Sequence, residues 1–232
     1  MSTFELRLDI LPRPQRELWE ELDTVPSEFV LYGGTALALQ LGHRASEDFD
    51  FFSSAGFEPD HLQSCLPFFR GLNKDEQSLW VHRKRDNLEA FVACGSGTVK
   101  VAFFGGMSNL RRVQDPRRPV GSRVQVASLI DLAGMKMRVI QMRGSWKDCA
   151  DIHALASNGV DVSTALAARR AIDSRFNPEI SVRALQFYGD GNLSRVPIGM
   201  QQDLIRWAQA VDLAQLPDLH SRRGLTSQGM SR

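Results

Sequence analysis

Apolar residues near the start of the chain fall into short runs that glycines separate. Residues 29–32 form a continuous apolar stretch, which predicts a buried strand, and two glycines follow it. Residues 35–41 are rich in helix formers and precede Gly42, which predicts a helix with a C-terminal glycine cap. A second apolar strand is predicted over 49–52, where acidic residues interrupt the phenylalanines. The order predicted for this segment is strand, helix, strand.

The remaining pattern divides the chain into a mixed half and a helical half. Further helices are predicted over 12–23 and 59–69, and further strands over 78–82, 88–93 and 99–104. From Ala127 to Ala214 the apolar spacing is helical throughout. The sequence therefore predicts an α/β (α+β) protein, with a mixed-sheet core over residues 1–123, a helical C-terminal region over 124–219 and a disordered tail over 220–232.

The composition is that of an ordinary globular protein, and the sequence argues against disulfide-stabilised, secreted and membrane-spanning proteins. The chain has 232 residues, of which 43% are hydrophobic and 24% charged, so a core can form without disulfides or structural metals. Cys65, Cys94 and Cys149 show no paired spacing, and we interpret them as reduced thiols of a cytoplasmic protein. No secretion signal and no charge-free window of membrane-spanning length is present, so no membrane partner is expected.

A candidate phosphate site begins at Gly33 and Gly34, where a predicted strand opens directly into a helix. Glycines let backbone N–H groups approach an anion, the helix dipole favours negative charge there, and Thr35 is a candidate hydroxyl donor. Asp48 and Asp50 are two apart on a strand, so both carboxylates face one side and form a donor pair suited to Mg2+. Taken alone, the glycines are more often a plain turn, and such acids are more often two solvated side chains.

A second charged group lies on two consecutive predicted helices. Lys136 and Arg143 are seven residues apart and share a helix face, as do Asp148 and Asp151. Lys147 and Asp151 are four apart and form a candidate ion pair. Taken alone, these are solvated helix charges.

An arginine-rich segment lies between the two halves of the chain. Within residues 111–123, opposed only by Asp115, are Arg111, Arg112, Arg117, Arg118 and Arg123. The segment has two interpretations, a solvated loop or a surface that contacts nucleic acid.

The chain resembles the AbiEii-type nucleotidyltransferases, a family of the polymerase-β-like superfamily that includes toxins of type IV toxin–antitoxin and phage-defence systems. The matching segments are LYGGTALALQLGHRASEDFDFF, TVKVAFF, DLAGMKMRVIQMRGSWKDCADIHAL and ALQFYGDGNLSRVP, in the family's order over roughly residues 28–200. The resemblance implies a nucleotidyltransferase fold, an NTP substrate, and an acceptor such as structured RNA or tRNA. It further implies Mg2+ or Mn2+ as cofactor, a two-metal in-line displacement, and a cognate antitoxin encoded nearby.

The resemblance also assigns roles to individual positions. The residues matched to substrate binding are Gly33, Gly34, Thr35, Arg44, Ser46 and Lys147. Those matched to catalysis are Asp48, Asp50, Lys136, Asp148 and Asp151, and the first two of these also match the metal ligands. A lysine facing such a site would neutralise phosphate charge, and an aspartate could act as base for the acceptor hydroxyl.

One position departs from the family pattern. Many superfamily members carry a third carboxylate two residues after the strand lysine, whereas this chain has Ala102 after Lys100. The predicted metal site is therefore one ligand short, and Glu89 on the preceding strand is a candidate replacement that the sequence cannot place. This leaves two other functions open: a catalytically degenerate protein that binds NTP or RNA, and a structural partner that acts through a companion protein.

Overall fold

Two compact units make up the chain in the computed structural model, which describes residues 2–70 and 80–226. The first unit contains the chain up to Leu110, residues 115–127 and the chain from Arg223. The second contains residues 111–114 and 128–222. The chain therefore passes from one unit to the other after residues 110, 114, 127 and 222.

The strands are short, and most of them belong to the first unit. In chain order they are β1 (Thr3–Phe4), β2 (Val30–Tyr32), β3 (Asp48–Phe52), β4 (Trp80–Lys84), β5 (Asn87–Cys94), β6 (Gly97–Phe104), β7 (Arg111–Arg112), β8 (Arg118–Pro119), β9 (Gln125–Val126) and β10 (Arg222–Arg223). Six of the described strands form one sheet in the order β4–β5–β6–β3–β2–β9. Because β3 pairs with β6 and β2 with β9 in parallel, while the other pairs are antiparallel, the predicted mixed sheet is confirmed.

Strand alternation places the core and the acidic residues on opposite faces of this sheet. Phe49 and Phe51 of β3 are fully buried, and Phe51 stacks on Phe103 of β6 with ring centroids 5.0 Å apart. Successive side chains of a strand point to opposite faces, so Asp48 and Asp50 lie on the face away from these rings. The phenylalanines therefore fix the direction in which the two carboxylates point.

Helices make up most of the second unit and part of the first. In chain order they are α1 (Arg13–Trp19), α2 (Gly33–Leu41), α3 (Pro59–Cys65), α4 (Leu129–Met142), α5 (Trp146–Ser157), α6 (Val162–Ile172), α7 (Pro178–Ala184) and α8 (Ile198–Gln209). Within the second unit, α4 packs against α5, α6 and α7. A Cβ on Gly134 of α4 would lie 3.0 Å from the backbone nitrogen of Arg169, so glycine permits the close approach of α4 and α6.

Some predicted elements end earlier than their apolar spacing indicates. The helix predicted over 59–69 is wrong in its length, because α3 ends at Cys65 and a separate 3-10 turn covers Pro67–Phe69. Leu66, which precedes the proline, is extended, as the proline ring requires of its neighbour. Likewise α1 ends at Trp19 rather than near residue 23. Residues 78 and 79 of the strand predicted over 78–82 lie outside the described residues.

The C-terminal segment is ordered further than the sequence predicted. Gly224 donates its backbone N–H to the carbonyl oxygen of Leu110 at 2.9 Å, and the side chain of Leu225 is buried. The predicted disorder is therefore wrong for residues 220–226. Residues 227–232 lie outside the described residues.

Three of the five arginines in the arginine-rich segment contact other parts of the protein or are buried, whereas Arg123 is exposed. Arg111 donates to the Ser221 hydroxyl at 2.7 Å, and Arg112 is buried. Arg117 donates to the Gln40 side-chain oxygen at 3.1 Å and to the Thr3 carbonyl oxygen at 3.0 Å. The solvated-loop interpretation is therefore wrong for Arg111, Arg112 and Arg117, and contact of the segment with nucleic acid stays a prediction.

Candidate active site

The glycine turn at the start of α2 lies against the carboxylate of Asp50. Gly33 has φ +79°, a conformation that favours glycine, and a Cβ added to it would lie 2.8 Å from Asp50 Oδ2. Asp50 reaches the turn because it pairs directly with Tyr32, the residue before Gly33, across β2 and β3. The turn and the acid therefore lie side by side in the structure.

Arg44 and Ser46 converge on the second glycine of the same turn. A Cβ added to Gly34 would lie 2.6 Å from Arg44 Nη2 and 2.9 Å from Ser46 Oγ. The guanidinium of Arg44 is also oriented by a 2.8 Å hydrogen bond from Nη1 to the Ala45 carbonyl oxygen. The structure thus brings a guanidinium, a hydroxyl and a carboxylate to the N-terminus of one helix.

The hydroxyl of Thr35 is hydrogen-bonded within the protein. Its side chain is buried, and Oγ1 donates to the carbonyl oxygen of Asp48 at 2.5 Å. This bond ties the first turn of α2 to the first residue of β3. The hydroxyl hydrogen of Thr35 is therefore donated within the protein.

A row of partners across three strands extends the acidic face of β3. Lys100 of β6 is the register partner of Asp48 on one side and of Phe91 in β5 on the other. Directly paired residues of neighbouring strands point to the same face. Phe91 is 39% exposed, which is unusual for a phenylalanine in a sheet and shows that this face is open.

The next row places Glu89, which the sequence could not locate. Ala102 of β6 is the register partner of both Asp50 and Glu89, so the three residues lie in line on one face. Glu89 is buried, with its side chain 9% exposed, and Oε2 lies 2.9 Å from the ammonium of Lys100. The adjacent carboxylate raises the pKa of Lys100 above its usual value, against a lowering by burial, and Asp48 and Asp50 raise it further.

Asp48 and Asp50 are the residues on this face that could hold a divalent cation. Among residues 2–70 and 80–226, no three acidic, histidine or cysteine side chains stand close enough together to share a metal ion. Asp48 and Asp50 supply two hard oxygen donors, a set that suits Mg2+ because this ion retains waters and shares phosphate oxygens. The carboxylate of Asp50 at the glycine turn would repel a triphosphate unless a cation lay between them.

In the second unit, the charged residues of α4 and α5 form a buried ion cluster. Lys136 Nζ lies 2.8 Å from Asp148 Oδ1 and 2.6 Å from Asp151 Oδ2. Arg143 adds a second cation, with Nε 3.0 Å from Asp148 Oδ2. The lysine and both aspartates are buried, so the interpretation as solvated helix charges is wrong. Lys147 is exposed, and the structure gives Asp151 its partner on the neighbouring helix.

Comparison with known proteins identifies the family of the chain. A family model described as "Nucleotidyl transferase AbiEii toxin, Type IV TA system" matches residues 18–216. The chain belongs to the AbiEii family. Membership confirms the AbiEii resemblance and the nucleotidyltransferase fold that the sequence indicated. The matched range of the AbiEii model includes every predicted site residue, from Gly33 to Asp151.

Several individual proteins are also similar to this AbiEii chain. An uncharacterised protein of Aquifex aeolicus (strain VF5) is 32% identical over 144 residues, which are 61% of this chain and 65% of that protein. The match thus spans less than two thirds of the length of this curated relative. MenT4, a nucleotidyltransferase toxin of Mycobacterium tuberculosis H37Rv, is 14% identical with a TM-score of 0.49, over 85% of this chain and 81% of MenT4. A candidate nucleotidyltransferase from H. pylori is 18% identical with a TM-score of 0.45, over 85% of this chain and 91% of that one.

None of the helices within residues 2–70 and 80–226 is long and apolar enough to cross a bilayer.

Proposed function

We propose that this AbiEii-family chain transfers a nucleotide from an NTP to an RNA acceptor such as tRNA, in a Mg2+-dependent reaction, as the toxin of a cytoplasmic toxin–antitoxin pair active in phage defence. Family membership supports nucleotidyl transfer and the toxin role. The observation that carries the proposal for this chain is the meeting of Gly33, Gly34, Arg44 and Asp50 at the start of α2.

Triphosphate binding is assigned to the first turn of α2. Backbone N–H groups at a helix N-terminus have no intrahelical partner and favour an anion, and the glycines leave room for phosphate oxygens to reach them. Arg44 adds a guanidinium next to Gly34, and this group can form a bidentate pair with phosphate. Ser46 contributes a hydroxyl at the same point.

Asp48 and Asp50 are assigned to the divalent cation. Once bound, Mg2+, or Mn2+ in its place, would neutralise triphosphate charge and act as a Lewis acid on the phosphoryl group. The two carboxylates hold this position because Phe49 and Phe51 fix β3 from the other face, and because Thr35 holds the Asp48 carbonyl oxygen.

The roles matched to Lys136, Asp148, Asp151 and Lys147 rest on the family resemblance. For the first three, the ion cluster supports a structural function, because its ion pairs hold α4 against α5. Exposed Lys147 is available to an anionic ligand. The antitoxin partner follows from the type IV toxin–antitoxin class of the family.

Ala102 supports a second candidate function, a degenerate nucleotidyltransferase that binds NTP or RNA without turnover. Its methyl group is buried between Asp50 and Glu89, where many superfamily members carry a third carboxylate. The two candidates differ in one measurable property, which is the transfer of label from NTP to an acceptor.

The test is incubation of the purified protein with each α-labelled NTP, Mg2+ and total RNA, followed by a denaturing gel. We expect labelled RNA with one NTP, and we expect Asp50→Asn to reduce labelling by at least about 100-fold, because it removes an anionic ligand of the cation. Glu47→Gln is the matched control: it neutralises an exposed acid three residues away and should label RNA normally. Tight NTP binding without labelling of any RNA would favour the degenerate binder.

A further inference from the structure

Phe91 presents an aromatic ring on the open face of the six-stranded sheet. The residue is 39% exposed, although Ala90 and Val92 on either side of it in β5 are buried. Phe52 and Phe104, which lie on the same face, stack on each other with ring centroids 5.0 Å apart. Among the residues that the structure describes, no ring packs against Phe91 in this way. One face of this ring is therefore available to a flat ligand.

The strand register places the ring in one row with the candidate active site. Phe91 pairs with Lys100 of β6, and Lys100 pairs with Asp48 of β3. Neighbouring strands are about 4.8 Å apart, so the backbones of Phe91 and Asp48 are separated by about 10 Å. The end of a single RNA strand can cover this distance, with its terminal hydroxyl at the carboxylates and a base over the ring.

The glycine turn lies on the other side of the carboxylates. The strands run in the order β5–β6–β3–β2, and α2 begins directly after β2. Asp48 and Asp50 of β3 thus stand between the proposed triphosphate site and Phe91. In phosphoryl transfer the attacking and leaving oxygens are roughly in line, so the acceptor hydroxyl approaches from the side away from the pyrophosphate. This order of strands favours the acceptor on the Phe91 side.

The side chains close to the ring suit a polyanion. Buried Glu89 has its Oε2 2.9 Å from Lys100 Nζ and its Oε1 3.9 Å from His82 Nε2. The side chains that it holds are partly exposed, that of Lys100 by 30% and that of His82 by 54%. An aromatic ring close to basic side chains is the combination that proteins use to bind single-stranded nucleic acid.

Resting on the proposed function, we propose that a nucleobase at the single-stranded end of the RNA acceptor stacks on Phe91. Stacking holds the end of the strand on this face, so that its terminal hydroxyl lies at the cation of Asp48 and Asp50. Every base has a face that can stack, so Phe91 positions the strand without selecting its sequence. The ring contacts the acceptor and takes part in no bond that forms or breaks.

A thermodynamic cycle between protein and RNA tests the stacking. The probes are a fluorescein-labelled single-stranded RNA of about ten nucleotides and the same RNA with an abasic nucleotide at each position near its end in turn. Binding to the full-length protein is measured by fluorescence anisotropy. One abasic substitution should weaken binding to wild type by at least about fivefold, and Phe91→Ala should weaken binding of the intact RNA equally.

The double change in this cycle distinguishes stacking from other contacts. The abasic RNA should bind Phe91→Ala no more weakly than the intact RNA does, because the stacking partner is already absent. Phe91→Trp should keep the wild-type affinity. The dependence of affinity on salt should be the same in Phe91→Ala and wild type, since stacking releases no counterions. Thermal unfolding checks the fold of each variant.

Transfer kinetics identify the source of the base. Phe91→Ala should raise the KM for RNA by at least about fivefold and change the KM for NTP by less than about twofold. A raised KM for NTP, with unchanged binding of inorganic triphosphate, would assign the base to the nucleotide and overturn the inference. Phe187→Ala is the matched control, because it removes the same ring from a position that is 53% exposed and outside the sheet, and it should label RNA normally.

The outcomes separate this inference from the proposed function. Labelling of RNA by wild type, together with unchanged RNA affinity and KM in Phe91→Ala, would overturn the inference alone. Equal losses in Phe91→Ala and Phe187→Ala would do the same. The expected cycle without any labelling would support stacking and favour the degenerate binder. Wild type that neither binds nor labels RNA would overturn both.

Discussion

Lys136 lies between two buried carboxylates of the second unit, and this position determines what its removal does. Its ammonium is within 2.8 Å of Asp148 and 2.6 Å of Asp151. Taking one partner out of a buried ion pair leaves an unpaired charge away from water, which costs far more than the pair itself contributes. The cluster is therefore sensitive to substitution whether or not it takes part in catalysis.

We predict that Lys136→Met lowers the free energy of unfolding by about 3–5 kcal/mol, because both aspartates lose their shared cation. Lys147→Met is the matched control, since it makes the same chemical change at an exposed position and should alter stability by less than about 0.5 kcal/mol. Urea denaturation followed by circular dichroism measures both. Equal stability of the two variants would contradict the burial of the cluster.

At the scale of single residues, the sequence predicts which residues share a face, but it does not predict whether that face is buried. Asp48 and Asp50 were correctly placed on one face, because a strand has a period of two and the phenylalanines beside them mark the buried side. Helical spacing placed Asp148 and Asp151 on one face, but it did not predict their burial or their ion pairs with Lys136 of the preceding helix. Periodicity shows which residues share a face, whereas burial of that face depends on which helix covers it.

At the scale of elements, the turn between β2 and α2 combines a backbone conformation with a close approach. Gly33 has φ +79°, and its Cα faces Asp50 Oδ2 so closely that a Cβ would lie 2.8 Å from that oxygen. Gly121 has the same φ of +79°, yet a Cβ there would have nothing within 4 Å. The two glycines therefore share their backbone conformation and differ in their surroundings.

We predict that Gly33→Ala abolishes triphosphate binding, because the new methyl group displaces the Asp50 carboxylate and blocks the turn. Gly121→Ala should have only the conformational cost of about 1–2 kcal/mol and should bind triphosphate normally. Isothermal titration with inorganic triphosphate and Mg2+, together with thermal unfolding, separates the two effects. Normal binding by Gly33→Ala would show that the turn does not hold the phosphates.

Features that depend on residues close together in the sequence could be predicted. Gly42 ends α2 in the left-handed conformation, as predicted, and the Gly95–Ser96 turn joins β5 to β6. The break at Pro67 could also have been predicted, because proline disfavours a helical conformation in the residue before it. The position of Glu89 opposite Ala102 could not, since strand register depends on pairing between distant segments.

At the scale of the whole molecule, the chain order of the two units is not a simple succession. Residues 111–114 precede part of the first unit and yet belong to the second. The backbone N–H groups of Val113 and Gln114 donate to the Asp131 carboxylate at 2.7 and 3.0 Å. Burial raises the pKa of Asp131 above its usual range, while these donors and Ser128 act in the opposite direction. The segment thus offsets the cost of a charge buried at the start of α4.

We predict that a fragment of residues 128–222 is less stable than one of residues 111–222, by about 2 kcal/mol at pH 7, because the shorter fragment lacks two hydrogen bonds to a charged group. Midpoints of urea denaturation compare the two, and Asp131→Ala in both is the control: the longer fragment should then lose the part of its advantage that depends on the carboxylate. A raised pKa in the folded state means that stability is present at low pH and is lost as the pH rises through that pKa. The two N–H donors oppose this loss of stability in the longer fragment. The difference in unfolding free energy between the fragments should therefore shrink as the pH falls towards the ordinary aspartate value of about 3.9. Equal midpoints at pH 7 would show that the segment contributes nothing to the second unit.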